Sequence, residues 1–107
     1  MTKSTAARVF ELMPAVQDTL GYAQFRFAGT DKAKLDTALL TLSNAAKIQP
    51  LPSIYLHLAM AYEKKGDPTN ALKSAGDGVR LATAARDPIL PELLTIQERL
   101  SKVVVGR

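Results

Sequence analysis

Few residues in this sequence could carry chemistry, and their spacing does not suit it. His57 is the only histidine, and the absence of cysteine excludes thiol nucleophiles, disulfides and thiolate metal sites. The serine, aspartate and glutamate residues show no nucleophile or metal-ligand spacing, and Glu63, Asp67 and Asp77 do not match an EF-hand loop. The sequence therefore predicts a protein that is not an enzyme and that uses no metal or cofactor.

Charge is the next feature that could specify a partner. The formal net charge is +4, and a cluster of Lys and Arg would indicate binding to nucleic-acid phosphates. Residues 1–50 carry six basic and four acidic side chains, residues 51–107 carry eight and six, and the two signs are interleaved. This pattern is typical of a solvated helical surface, so it disfavours a nucleic-acid ligand.

Length and composition indicate one soluble globular domain. The chain has 107 residues, of which 47% are hydrophobic and 22% charged, which is enough for a single core. It has no apolar run of about 18 residues and no signal-peptide pattern, so we expect no membrane insertion. The compartment stays open, because a cytoplasmic protein and part of a longer periplasmic protein would have the same features.

Helical periodicity occupies the segments between the prolines. Apolar residues recur three or four positions apart there, and no segment outside the short tail 103–105 alternates with the period of a strand. Lys64 and Lys65 followed by Gly66 favour a helix end with a left-handed cap, and Pro68 favours the first turn of the next helix. We predict six helices, at about residues 3–12, 15–28, 32–48, 53–65, 68–84 and 89–103.

An internal repeat is also present. Residues 20–23 (LGYA) match residues 58–61 (LAMA) at an offset of 38, and a second set matches at an offset of 33. The second set pairs Ala38, Leu42 and Ala45 with Ala71, Ala75 and Gly78. The offsets agree if the first hairpin connection, around residues 28–37, is five residues longer than the second. The repeating unit is then a helix pair with small residues where its helices cross.

These residues resemble the tetratricopeptide repeat (TPR) family. Residues 52–83 match through Tyr55, Leu58, Ala59, Tyr62, Gly66, Ala71 and Ala75, and residues 14–50 match through Leu20, Gly21, Gly29, Ala38, Leu42, Ala45 and Pro50. The chain departs from the family pattern at Gln17 and Gln24, where aromatics are usual, and at Thr83, where the closing proline is expected. Residues 14–22 and 61–67 are most similar to C-terminal repeats of bacterial TPR proteins linked to exopolysaccharide export and surface-protein sorting.

The resemblance implies an all-α fold, a right-handed helical-hairpin solenoid of about six helices that forms one domain over residues 1–107. Its parts would be the helix of a partial preceding repeat (1–13), repeat one (14–51), repeat two (52–84) and a capping helix (88–103). The function it implies is a non-catalytic scaffold that binds a peptide or partner protein. The binding surface of the family is a concave groove lined by the first helix of each pair.

By position, the resemblance assigns partner binding to Asp18, Tyr22, Phe25, Arg26, Leu56, His57, Met60, Glu63 and Lys64. An apolar surface with a basic rim would suit an amphipathic helix or an extended apolar peptide with some negative charge. Three alternatives stay open. The first is that packing against neighbouring helices is the whole role of Tyr22, Phe25 and Met60. The second is that the chain is a small basic helical nucleic-acid-binding protein. The third is that it self-associates as a structural repeat element through exposed repeat ends.

Overall fold

A computed structural model describes residues 13–106, which form five α-helices and no strand. The helices are α1 (Pro14–Ala28), α2 (Lys32–Ile48), α3 (Pro52–Lys65), α4 (Pro68–Ala85) and α5 (Leu90–Val105). The predicted all-α class is confirmed, and each observed helix end lies within two residues of the predicted one. The sixth predicted helix, residues 3–12, and almost all of the partial-repeat segment 1–13 lie outside the described residues.

Local sequence signals determine the turn between α3 and α4. Gly66 closes α3 in the left-handed conformation, with φ of 92°, as the sequence predicts. The carboxylate of Asp67 then accepts a hydrogen bond from the backbone N–H of Asn70 at 3.1 Å, which caps α4. Pro68 occupies the first turn of α4, where its missing N–H costs no helical hydrogen bond.

Consecutive helices pack against each other, and α1 also contacts α3. The pairs α1–α2 and α3–α4 are joined by three and two residues and form helical hairpins. One apolar cluster, around Leu42 and Ile54, holds the first hairpin to α3. A second cluster, around Ala75 and Leu93, joins α3, α4 and α5. The fifth helix therefore covers apolar surface that the second hairpin would otherwise expose.

Small residues allow close approach where helices cross. A Cβ atom on Gly21 would lie 2.6 Å from Leu42 Cδ2, and one on Gly78 would lie 2.7 Å from Leu93 Cδ2. Because glycine inside a helix costs about 1 kcal/mol relative to alanine, Gly78 is explained by this approach of α5 to α4. Ala75, which the repeat pairs with Leu42, is fully buried in the second hairpin.

The prediction of a longer first connection is wrong. Residues 29–31 join α1 to α2 and residues 66–67 join α3 to α4, so the connections differ by one residue. The remaining extra residues lengthen the helices, chiefly at the start of α2. There Asp31 accepts from the backbone N–H of Lys34 at 3.1 Å, and this cap starts the helix earlier than the repeat comparison indicates.

Candidate functional site

An open groove of about 820 Å³ lies between α1, α3 and α5. Phe25, Met60 and Ile96 supply its apolar surface, one from each helix. The polar side chains that line it are Thr30, Glu63, Lys64, Glu92, Thr95 and Arg99. A smaller cleft of about 180 Å³, here called the basic cleft, adjoins the groove. The basic cleft is lined by Phe25, Arg26, Gly29 and Lys64.

Five of the predicted partner-binding residues lie at these two openings. Phe25, Met60, Glu63 and Lys64 line the groove, and Arg26 lines the basic cleft. Phe25 and Met60 are half-buried, because each also packs against one of the core clusters. The same side chains therefore contribute to packing and present apolar surface to the groove.

Helix α5 supplies groove residues that the sequence analysis missed. The sequence assigned this helix a capping role only, whereas Ile96, Arg99, Glu92 and Thr95 form the third wall of the groove. Glu92 lies three and four residues before Thr95 and Ile96, which lie four and three residues before Arg99, so the four positions share one face of the helix. The sequence shows that these residues share a face of α5, but it does not show that this face lies across the groove from α3.

Leu56 corrects the predicted set, because it does not line the groove. Its side chain is 5% exposed and belongs to the apolar cluster that joins α3, α4 and α5. Its four-residue spacing from Met60 predicted a shared open face on α3. Packing of α4 and α5 closes the Leu56 end of that face, and Met60, Glu63 and Lys64 line the groove at its other end.

Asp18, Tyr22, Ser53 and His57 form a polar cluster between α1 and α3, here called the Asp18 cluster. Asp18 is 6% exposed. One of its carboxylate oxygens accepts a hydrogen bond from Ser53 Oγ at 2.7 Å, and the other lies 2.6 Å from His57 Nδ1. Because a carboxylate can only accept, His57 Nδ1 carries the hydrogen in this pair. The predicted groove residues Asp18 and His57 are thus engaged with each other.

Aromatic rings connect the Asp18 cluster to the groove. The rings of His57 and Tyr22 are stacked with their centroids 4.3 Å apart, and the Tyr22 ring lies 6.0 Å from that of Phe25. Such aromatic pairs add to the free energy of burial. The chain of contacts from Asp18 to Phe25 therefore holds α1 against α3 and positions one apolar wall of the groove.

The Asp18 cluster does not have the geometry of a hydrolase triad. In a triad the serine hydroxyl donates to the histidine, which the carboxylate orients from its other side. Here Ser53 and His57 both bind the same carboxylate, and the serine hydroxyl donates to Asp18. The arrangement fastens two helices together and leaves Ser53 without the hydrogen bond that would activate it.

The charges around the groove are distributed unevenly. On the α5 side, Arg99 donates to Glu63 at 2.7 Å and is neutralised. On the α1 side, Arg26 and Lys64 are exposed and form no ion pair with any residue between 13 and 106. Among residues 13–106, nothing therefore pairs with the positive charge of the basic cleft, which lies directly beside an apolar surface.

A second charged contact joins the hairpins away from the groove. Lys65, at the end of α3, pairs with Asp36 on α2, and its backbone carbonyl accepts from Lys32 Nζ at 2.8 Å. The hydrogen bond to Asp36 raises the pKa of Lys65 above its ordinary value of 10.5. This contact joins the first hairpin to α3 through α2, whereas the Asp18 cluster joins it through α1.

The described part of the chain contains no group of three or more His, Cys, Asp or Glu side chains arranged to hold a metal ion. Between residues 13 and 106, no helix combines the length and apolar character needed to cross a membrane.

Comparison of the chain with protein-family models, curated proteins and solved structures gives no match. Function is therefore inferred from the groove and the charges around it.

Proposed function

We propose that this protein is a non-catalytic interaction scaffold of the TPR type, a right-handed helical-hairpin solenoid that binds a peptide or partner protein in the groove. The observation that supports this proposal is the construction of the groove. The first helix of each hairpin, α1 and α3, contributes one wall, and α5 adds a third. Stacked helical hairpins produce such a surface, because every second helix faces the same side.

The size and lining of the groove suit a peptide ligand. Binding sites commonly have volumes of about 300–1,000 Å³, mostly apolar linings and a few polar groups that orient the ligand. The groove, at about 820 Å³, combines Phe25, Met60 and Ile96 with polar side chains at its rim. An aromatic ring and a flexible thioether can accept apolar side chains of several shapes.

A nucleic acid would suit the same groove less well. Two carboxylates, Glu63 and Glu92, line it and would repel phosphates. Arg99, the cation on the α5 wall, is already bound to Glu63. Binding of a phosphate backbone needs a continuous row of free cations, and this groove has them at one end only.

The test is a selection of random-sequence peptides on the immobilised full chain, followed by titration of the enriched peptides. The groove variant is Phe25→Ala with Lys64→Glu. The matched control is Phe27→Ala with Lys34→Glu, since Phe27 is 88% exposed and both residues lie outside the groove. We expect the groove variant to bind about 30-fold more weakly and the control to bind like the wild type.

Circular dichroism checks whether both variants keep their helices. Full affinity in a folded groove variant would move the ligand away from this surface. Affinity lost in the control and kept in the groove variant would assign binding to the outer side of α1 and α2. Either result would contradict the proposed groove function.

A further inference from the structure

We infer that the groove selects peptides in which an acidic side chain directly adjoins a bulky apolar one, with the acid held between Arg26 and Lys64. The inference rests on the proposed function and adds the chemistry of the ligand. Three features of the described structure support it: the equivalence of the two cations, their lack of partners, and the side chains shared by the groove and the basic cleft.

Arg26 and Lys64 occupy equivalent positions in the two hairpins. They are 38 residues apart, the same offset that relates residues 20–23 to residues 58–61. Each lies in the last turn of the first helix of its hairpin. Two successive hairpins therefore bring a cation from the same repeat position to one cleft.

Neither cation is neutralised within the described part of the chain. Arg80, Arg99 and Lys102 each pair with a carboxylate, at 3.0, 2.7 and 3.6 Å. The side chains of Arg26 and Lys64 have no hydrogen bond or ion pair with residues 13–106. A position in the last turn of a helix favours each cation singly, but it does not account for both facing one cleft. A bound carboxylate would compensate both charges and accept a charge-assisted hydrogen bond from each.

The basic cleft has room for such a carboxylate. Gly29, with φ of 58°, lines it in a conformation that side-chain-bearing residues rarely adopt. A Cβ atom placed there would meet nothing within 4 Å, so the space beside the two cations is open. The cleft volume of about 180 Å³ exceeds that of a single carboxylate group.

The acidic and apolar parts of the ligand must be neighbours. Phe25 and Lys64 line both the groove and the basic cleft. Consecutive Cα atoms lie about 3.8 Å apart, so two openings that share a side chain are reached by adjacent ligand residues. With the acid between Arg26 and Lys64, the next apolar side chain lies over Phe25 and Met60.

The far wall gives the ligand a direction. Glu92 lines the groove on α5, and Glu63 is directed to Arg99 on the same side. A second acidic side chain placed there would be repelled, whereas an apolar one would contact Ile96. The expected ligand therefore carries its acid at the α1 end and apolar residues towards α5.

The experiment compares three proteins in a random-peptide selection. They are the wild type, a cleft variant, Arg26→Gln with Lys64→Gln, and a control, Lys34→Gln with Lys73→Gln. The control removes two exposed cations from α2 and α4, outside the groove. We expect wild type and control to enrich Asp or Glu next to Leu, Ile, Phe or Met. The cleft variant should keep the apolar preference and lose the acidic one.

A titration gives the size of the effect. The peptide most enriched by the wild type is labelled and compared, by fluorescence anisotropy, with the same peptide carrying Asn for Asp. We expect about tenfold weaker binding of the neutral peptide to the wild type and equal binding of both peptides to the cleft variant. The peptide substitution tests the inference on the wild type alone, even if the cleft variant does not fold.

The outcomes separate the inference from the proposed function. Peptides that bind the groove with no acidic preference would overturn the inference and leave the proposed function in place. No enrichment by the wild type over a Phe25→Ala, Met60→Ala variant would overturn both. Displacement of the peptide by single-stranded oligothymidylate, lost in the cleft variant, would assign the cations to phosphate and also refute the inference.

Discussion

Replacing Asp18 with alanine removes an acceptor that two side chains of α3 share. Ser53 Oγ donates to one carboxylate oxygen at 2.7 Å, and His57 Nδ1 lies 2.6 Å from the other. In the Asp18→Ala protein both donors stay inside the α1–α3 contact with no group to bind. The His57 ring, which stacks on Tyr22, then lacks the hydrogen bond that orients it.

The cost follows from the burial of the donors. Each donor left buried without an acceptor costs about 1–3 kcal/mol. Two effects reduce the sum: the His57 side chain is 19% exposed, so water reaches part of it, and alanine removes the cost of burying the Asp18 charge. We therefore expect a loss of about 2–3 kcal/mol in the free energy of unfolding. That is a large part of the roughly 5–15 kcal/mol typical of a single domain.

The Asp18→Asn protein should lose less. The amide oxygen can still accept from His57 Nδ1, and the Ser53 hydroxyl can rotate to accept from the amide NH₂ group. Only the charge assistance of the two hydrogen bonds is lost, which is worth about 1 kcal/mol. The stability order is then wild type, Asn variant, Ala variant.

Urea unfolding followed by far-ultraviolet circular dichroism measures this order. Asp77→Ala is the control, because Asp77 forms a surface pair with Arg80 at 3.0 Å and should contribute about 0–1 kcal/mol. An unchanged unfolding midpoint for Asp18→Ala, or equal losses for the Asn and Ala variants, would refute the reasoning. An unchanged midpoint would mean that the Asp18 cluster contributes no net stability to the α1–α3 contact, and equal losses would mean that the amide does not replace the two hydrogen bonds.

The remaining predictions concern α4, α5 and the contact between the hairpins. Gly78→Ala should destabilise by about 1–3 kcal/mol, because the new Cβ would lie 2.7 Å from Leu93, whereas Gly76→Ala should stabilise by about 0.5–1 kcal/mol. Urea midpoints distinguish the two, and equal signs would contradict the close approach of α5. Deleting residues 88–107 should expose the apolar cluster and cause self-association, and a monomeric, fully helical product in light scattering would exclude a covering role for α5. Asp36→Asn should return the pKa of Lys65 towards 10.5 in an NMR titration. Because the pKa of Lys65 is raised in the folded protein, the pairing contributes stability below pH 10.5 that is lost as the pH rises above it. The Asp36→Asn protein should therefore lose less stability than the wild type as the pH is raised above 10.5. Equal losses in the two proteins would contradict the pairing.

Much of the helical framework was predictable because its signals are local. Pro52 and Pro68 begin their helices, and Gly66 ends one, through backbone conformations that depend on a single turn of chain. Apolar periodicity likewise identified the helices, and the repeat pattern predicted small residues where the helices of a pair cross, as Gly21 does against Leu42. These features depend on the local sequence and not on the packing of distant segments.

The candidate site was predictable only in part. Phe25, Met60 and Lys64 were assigned to the groove by their positions along α1 and α3, and they line it. Leu56 was assigned by the same spacing and is buried, since other helices cover its part of the face. Helical spacing states which residues share a face, but it does not state what packs against that face.

The sequence alone thus determined the number and limits of the described helices within two residues, because caps and periodicity act over one or two turns. Only the tertiary structure decided that Asp18 binds Ser53 and His57, which are 35 and 39 positions away in the sequence. It likewise decided that Arg99 donates to Glu63, which is 36 positions away. Each of these side chains had many possible partners of opposite charge or polarity along the chain. Which partner each one meets depends on how the hairpins pack, and that packing is set by the summed burial of the apolar clusters, not by any local signal.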